Sequence, residues 1–343
     1  MTVSKEITEA PCVIFLGAGA SKVVGLMLMK EFVDSLKSSN VPERKLFDAI
    51  CKQKDDLEYL FEQLSELETK EYLGFTSQPK EGSLELGRSL AATGIDVMAL
   101  RLNSWLREQV FLHYRQIDEN SKKLILLANI LKPFLQKSRP LVVFTTNYDP
   151  VVEVLCREHL KCNVIDGFRH DMSRSEYLWE REVFDKATFP SGDSLVLFKL
   201  HGSANWVQSG GRILKSPPMF GGDDTLHKNV LIFPATRKIA IADPYFTCYD
   251  YLGKCLANTK LCLVIGYSFR DYDALTRFKA AKIQNPNLRI LVVDPWAKEL
   301  GRFLADNDIQ STAIPYAIGI QDAEYLSALS IELDKVFGKL ATT

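Results

Sequence analysis

Apolar residues follow two patterns along this chain. In short stretches they run on almost without a break. Val13-Ile14-Phe15-Leu16, Leu141-Val142-Val143-Phe144, Leu195-Val196-Leu197-Phe198, Leu261-Cys262-Leu263-Val264-Ile265 and Ile290-Leu291-Val292-Val293 are the five clearest cases. Continuous runs of this length predict strands covered on both faces, and so a parallel sheet between layers of helices. The predicted strands are Val13–Leu16, Leu141–Thr146, Leu195–Leu200, Leu261–Gly266 and Ile290–Asp294. Elsewhere the apolar residues recur at helical spacing. Leu26, Met29, Val33 and Leu36 do so directly after the first strand, and Leu46, Ile50, Leu57, Leu60, Phe61, Leu64 and Leu67 follow. Further helical blocks are Leu84 to His113, Lys122 to Leu135, Val151 to Leu160, Pro244 to Leu256 and Asp322 to Phe337. Gly74 to Gly82 reads as a loop, Gly210-Gly211 as a hairpin turn, and Val230 to Pro234 as one more strand.

These elements predict an α/β protein with a doubly wound, Rossmann-like parallel sheet. A dinucleotide-binding half normally places its second strand soon after its first helix. Here the sequence stays helical and polar from about Lys37 to Lys137, which predicts a large helical insertion within a single domain of residues 1–343. That length exceeds what a connection between two strands needs. Val97, Met98, Leu100, Leu102, Trp105, Leu106, Val110, Phe111, Leu112 and Tyr114 crowd one of its helices. Such a helix is either the centre of the insertion's own core or a surface for self-assembly and partner docking.

Composition narrows the class. Hydrophobic residues make up 46% and charged residues 25%, a globular balance, and the formal net charge is −1. No global basic surface argues for nucleic acid. No apolar stretch approaches the roughly 20 residues of a membrane span. The seven cysteines form no C-x-x-C pair, and the first ten residues are polar and acidic, as expected of a reduced cytoplasmic protein. Cys156, His159 and Cys162 have a metal-like spacing, but no fourth ligand accompanies them, so no metal is expected.

The chemistry-bearing residues collect where the strands end. Gly17-Ala18-Gly19-Ala20-Ser21 follows the first strand and opens a helix. Small residues there let backbone N–H groups approach an anion, and a helix N-terminus favours negative charge. The dehydrogenase fingerprint would need a third glycine at Lys22, so a tight strand-to-helix turn explains this stretch equally well. Asn147 and Asp149 follow the strand ending at Thr146, and either suits a binding role or ordinary turn chemistry. His201, directly after the strand ending at Leu200, is placed either as a general base or as a satisfied core histidine.

In order, Gly17-Ala18-Gly19-Ala20-Ser21, Thr146-Asn147-Tyr148-Asp149, Leu200-His201-Gly202-Ser203 and Gly266-Tyr267-Ser268 resemble the motifs of the sirtuin family. The likeness runs from Val13 to about Asp294. Lys199 to Trp206 and Gly266 to Phe269 look most similar to the sirtuin-like branch of bacterial anti-phage defence proteins, whose domain typically destroys NAD. The resemblance implies that Gly17, Ala18, Gly19, Ala20 and Ser21 surround the NAD pyrophosphate. It implies that Asn147 holds the ribose and a water, that Asp149 accepts from the nicotinamide carboxamide, and that His201 is the base near the ribose hydroxyls. Gly266 and Ser268 would line the adenosine phosphate and ribose. Asp294 would bind the adenine-side ribose, where an acidic residue suits a 2′-hydroxyl and repels a 2′-phosphate.

Two departures bear on activity. The Ala-Gly-Ile-Pro-Asp-Phe-Arg-like loop of deacetylase sirtuins is missing near Gly25-Leu26-Met27, and so are their two zinc-binding C-x-x-C pairs. The implied function is an NAD glycohydrolase that releases nicotinamide and ADP-ribose with NAD as substrate. An NAD-dependent protein deacylase or ADP-ribosyltransferase, and a non-catalytic nucleotide sensor, are the alternatives. An unrestrained NADase would starve its own cell, so a homo-oligomer or a gating protein, such as a neighbouring ATPase or nuclease, is the expected partner.

Overall fold

The computed structural model describes residues 4–22, 24–72, 94–115, 117, 122–189, 193–209, 211–215, 228–231, 243–315 and 334. The chain forms two compact units. The first comprises Met1–Leu26, Tyr114–Leu231 and Ile239–Thr343, and the second Met27–His113 with Ile232–Lys238.

Twelve strands are described, all in the first unit. They are β1 (Cys12–Leu16), β2 (Leu141–Thr145), β3 (Asn163–Ile165), β4 (Phe168–Asp171), β5 (Glu176–Trp179) and β6 (Ser194–Lys199). They continue with β7 (Gly202–Ser209), β8 (Arg212–Lys215), β9 (Lys228–Leu231), β10 (Leu261–Ile265), β11 (Arg289–Asp294) and β12 (Thr312–Pro315). Seven of them make one sheet in the order β12-β11-β10-β1-β2-β6-β3, with every neighbouring pair parallel. With the edge strand β3 set aside, the order read from β6 is third, second, first, fourth, fifth, sixth. This is the doubly wound dinucleotide-fold order, and its switch point lies between β1 and β10.

The continuous apolar runs have the burial they predict. Val13 and Phe15, Val142 and Phe144, Val196 and Phe198, Cys262 and Val264, and Ile290 and Val292 belong to one core cluster. Tyr249 and Leu252 of helix Tyr245–Asn258, Phe278 of helix Tyr272–Gln284 and Leu304 of helix Ala297–Ala305 complete it. Phe144 stacks on Phe198 at 4.7 Å, and Phe15 meets Phe278 edge-on at 5.5 Å. The intervening residues, among them Ile14, Val143, Leu197, Leu263 and Leu291, are buried too, so both sheet faces are covered. Truncating one of these phenylalanines removes about 3–5 kcal/mol.

All five predicted strands are present within one residue at each end. Two of the sheet's strands escape a sequence reading. β3 and β12 are short edge elements, and Asn163 and Thr312 are exposed. A second sheet, β4-β5-β8-β7-β9, is antiparallel throughout and was visible only as the Gly210-Gly211 hairpin and the strand at Val230. Its strand Phe168-Arg169-His170-Asp171 is charged and exposes Arg169 and His170, so no apolar run marks it. The sequence around Gly25 also divides differently. The single helix expected after β1 is two, Ala18–Lys22 and Met29–Lys37, because Gly25 takes a left-handed φ of +94° that ends the first.

The second unit is helical in its described part. Helix Leu57–Tyr72 packs on both Met29–Lys37 and Arg44–Gln53. Phe32, Val33, Leu36, Leu46, Phe47, Ile50, Leu60, Phe61 and Leu64 form buried stripes. Helix Ile95–Arg115 buries Ala99, Leu102, Leu106 and Val110 and exposes Val97, Leu100 and Leu112. Helix Lys122–Lys137, placed by its sequence in the insertion, belongs to the sheet unit and packs against Val151–Leu155 and Cys156–Leu160. The Gly74–Gly82 loop, most of the Val230–Pro234 strand and the Asp322–Phe337 helix lie outside the described residues, apart from Asp334, which is helical.

Candidate active site

Register brings the sequence-predicted residues to one edge. Leu16 pairs with Thr145 and with Ile265, Thr145 with Lys199, and Ile265 with Val293. The residues that follow these partners therefore stand at the carboxyl ends of five adjacent strands: Asp294, Gly266 with Ser268, Gly17 to Ser21, Asn147 with Asp149, and His201. Ligands of open α/β sheets bind at this edge, at the switch point.

The glycines at the switch point are required by backbone approach. A Cβ on Gly17 would lie 2.4 Å from the Gly266 carbonyl oxygen, and one on Gly266, at φ +62°, would lie 2.4 Å from the Ala20 nitrogen. The Gly17 N–H donates to the Ile265 carbonyl and the Gly19 N–H to the Gly266 carbonyl, both at 2.9 Å. Ala20 N–H turns back to Gly17 at 3.0 Å. The turn thus spends three of its donors on itself and on the neighbouring strand end. Ala18 is exposed, and its N–H has no acceptor among the described residues.

Asn147 is locked from three sides. Its side-chain Nδ2 donates to the Gly17 carbonyl at 2.8 Å and to the Ser21 hydroxyl at 2.7 Å, while its own N–H donates to Thr145 Oγ1 at 3.0 Å. Thr145 Oγ1 in turn donates to the Leu16 carbonyl at 3.0 Å. Because the Gly17 carbonyl only accepts, the amide orientation is determined, and Oδ1 faces away from this network. Asp149, 4% exposed, accepts from the Val151 N–H at 3.1 Å. Burial pushes its carboxyl above the usual range, opposed by the Lys199 ammonium, the Ser21 hydroxyl and the Val151 N–H. Ser21 therefore links Asn147 to Asp149.

Beneath this loop lies Lys199, 1% exposed. Its ammonium donates to the Asp149 carbonyl at 2.6 Å, the Ser203 hydroxyl at 2.7 Å and Glu153 Oε1 at 3.1 Å. Ser203 donates onward to the Tyr148 carbonyl at 3.1 Å. The three ammonium protons are all used, as a buried cation requires. A lysine inside an otherwise apolar strand signals such a network in the sequence, though not its partners.

His201, 4% exposed, follows β6, and its Nε2 lies 2.6 Å from Asp271 Oδ2. Tyr249 OH donates to the same oxygen at 2.7 Å. The Leu200 N–H to the Thr145 carbonyl (2.8 Å) and the Ala204 N–H to the Tyr148 carbonyl (2.7 Å) join the His201 and Asn147 segments. The rings of Tyr148 and His201 are 6.3 Å apart. Asp271 and Tyr249 escape the sequence reading. Asp271-Tyr272-Asp273 before a helix signals an N-cap, but nothing local names a histidine seventy positions earlier as partner.

On the other side of the switch point the edge is open. Ser268 is exposed and makes no hydrogen bond among the described residues. Asp294 is half-buried, which raises its carboxyl, and it accepts from the Trp296 N–H at 2.8 Å. The Trp296 side chain is 69% exposed. Among the described residues, no group of three or more His, Cys, Asp or Glu is placed to hold a metal, and no helix is long and apolar enough to cross a membrane.

A sheet of dinucleotide-fold order with a polar row along its carboxyl edge defines the class. Comparison with known proteins defines the family. The model of the SIR2-like domain matches residues 141–312, half of the sequence, and the chain belongs to that family. No curated protein matches it. A mutated Sir2 homologue in complex with 2′-O-acetyl ADP-ribose is 14% identical over 98% of this chain and 97% of its own, with a TM-score of 0.46. A Sir2 homologue in complex with NAD is 14% identical over 96% and 93%, with a TM-score of 0.45.

Proposed function

We propose that this protein is an NAD glycohydrolase, cleaving the nicotinamide–ribose bond with water to give nicotinamide, ADP-ribose and a proton. The observation that carries this reading is the pairing of two immobilised groups at adjacent strand ends. Asn147 is held by Gly17 and Ser21, and His201 by Asp271. Cleavage passes through an oxocarbenium-like state in which the pyridinium leaves as a neutral ring. The protein must chiefly hold the ribose and present a water. In this reading Asn147 holds the ribose and the water, and His201 accepts a proton. The Gly17 to Ser21 turn surrounds the pyrophosphate, and the Ala18 N–H, which has no acceptor among the described residues, donates to it. Gly266 and Ser268 line the adenosine side, and Asp294 meets its ribose. Asp149 acts on the nicotinamide end. Its burial and its link to Ser21 also give it a part in holding Asn147.

The lack of C-x-x-C pairs removes the zinc module that frames an acyl-lysine cleft in deacetylases, which favours water over an acyl-peptide as acceptor. The same reading includes a cytoplasmic effector of anti-phage defence, held inactive until a partner or self-assembly releases it. Val97, Leu100 and Leu112, the exposed apolar residues of helix Ile95–Arg115, are the surface we assign to that assembly. The test is nicotinamide release from NAD by the purified chain, alone and with the product of its neighbouring gene. Release only with an added acyl-peptide or protein acceptor would replace the reading with a transferase or deacylase. Tight binding with NAD left intact under every condition would replace it with a sensor.

A further inference from the structure

Among the described residues, Asp271 receives four donors on its two oxygens. Oδ2 takes His201 Nε2 at 2.6 Å and Tyr249 OH at 2.7 Å, and Oδ1 takes the N–H groups of Asp273 at 2.9 Å and Ala274 at 3.2 Å. The first two come from the turn after β6 and from helix Tyr245–Asn258, and the last two from the helix that Asp271 caps. The side chains of His201 and Asp271 are 5% and 7% exposed. Tyr249 is held in turn, since Arg277 lies over its ring at 4.7 Å and donates to its carbonyl at 2.9 Å. A carboxylate is an acceptor, so the imidazole nitrogen it faces is the one that carries the proton. In the neutral imidazole the other nitrogen, Nδ1, then keeps the lone pair.

We propose that Asp271 is the positioning residue of His201, fixing the Nε2–H tautomer so that Nδ1 is the basic nitrogen, with Tyr249 holding the carboxylate in place. The kinetic consequence rests on the glycohydrolase reading, while the tautomer itself does not. Asp271→Asn separates the two jobs of this side chain. Asparagine is as good an N-cap as aspartate, so its Oδ1 keeps the Asp273 and Ala274 contacts. Its NH2 then points at His201 Nε2 and Tyr249 OH, donor against donor. The imidazole must present a lone pair there, and the proton moves to Nδ1.

The experiment uses the full chain labelled with 15N-histidine. His201 is assigned by the signals lost in His201→Gln. The parent chain is expected to show the Nε2–H tautomer, and Asp271→Asn the Nδ1–H tautomer with an unchanged melting temperature. Turnover of NAD should fall roughly 10²- to 10⁴-fold, the range that a positioned general base contributes. KM should stay within about two-fold, because the lost interaction belongs to the reacting state. Tyr249→Phe should lower turnover far less. A merely structural aspartate predicts the opposite result, with tautomer and turnover unchanged in Asp271→Asn, and that result overturns the proposal. An inactive parent chain whose tautomer still switches with Asp271 supports the positioning role and refutes the glycohydrolase reading alone.

Discussion

The two sides of the switch point are built differently. On the β2 and β6 side, Asn147, Asp149, Lys199 and His201 are buried or half-buried, and each is held by one or more named partners. On the β10 and β11 side, Ser268 is exposed and unbonded among the described residues, Asp294 is half-buried, and Trp296 stands in solvent. Preorganised groups act where charge develops in a reaction, because their dipoles need not reorient at that moment. A binding region has no such need, since the ligand itself supplies the missing partners. Under the glycohydrolase reading, the contrast puts chemistry at one half of the edge and recognition at the other. It predicts that changes on the first side lower kcat and changes on the second raise KM.

Among the groups placed against the substrate, the largest effect should come from Asn147→Ala. Loss of a fixed amide beside the reacting ribose is expected to lower kcat about 10²- to 10³-fold with KM little changed. A nicotinamide-release assay at saturating NAD checks it, and wild-type turnover would break the comparison at its centre. Lys199→Met should act through the fold. It leaves the Asp149 carbonyl, Ser203 and Glu153 without their shared donor, a loss of about 3–5 kcal/mol that urea denaturation would read. Gly266→Ala forces a Cβ into the Ala20 backbone at a positive φ, and should remove about 1–3 kcal/mol. Thermal melting would check it, and a neutral result would show that β1 and β10 can separate at the switch point. The smallest effect belongs to Asp294→Asn. Losing one charge-assisted contact of about 1 kcal/mol should raise KM for NAD roughly five-fold and leave kcat alone. It should also narrow the preference for NAD over its 2′-phosphorylated form. A fall in kcat there would sink the division of labour between the two halves.

Much of this was legible because burial on both faces leaves a mark on a sequence. Strands β1, β2, β6, β10 and β11 lie within continuous apolar runs, and the residues after them, from Gly17 to Asp294, stand at the edge that those runs predict. The second sheet left no such mark, since Phe168-Arg169-His170-Asp171 carries charge and exposes its two central residues. Asp271 escaped that reading, because its helix cap is a local signal and a histidine partner seventy positions away is not. The motifs mark Gly17, Gly19 and Gly266 as glycines, and only the structure shows that they also let the β1 and β10 strand ends approach each other.

What the sequence determined by itself was the class of fold, the parallel sense of the central sheet and the identity of the residues at its strand ends. Hydrophobic periodicity and small-residue turns encode those over a few positions at a time. Only the tertiary structure decided which strand ends are neighbours, that Ser21 joins Asn147 to Asp149, that Lys199 ties the β2 loop from below, and that Asp271 holds His201. These are contacts between residues fifty or more positions apart, made by the strand order and register of the sheet. No local pattern of residue types carries that order, because it is selected by how the whole core packs.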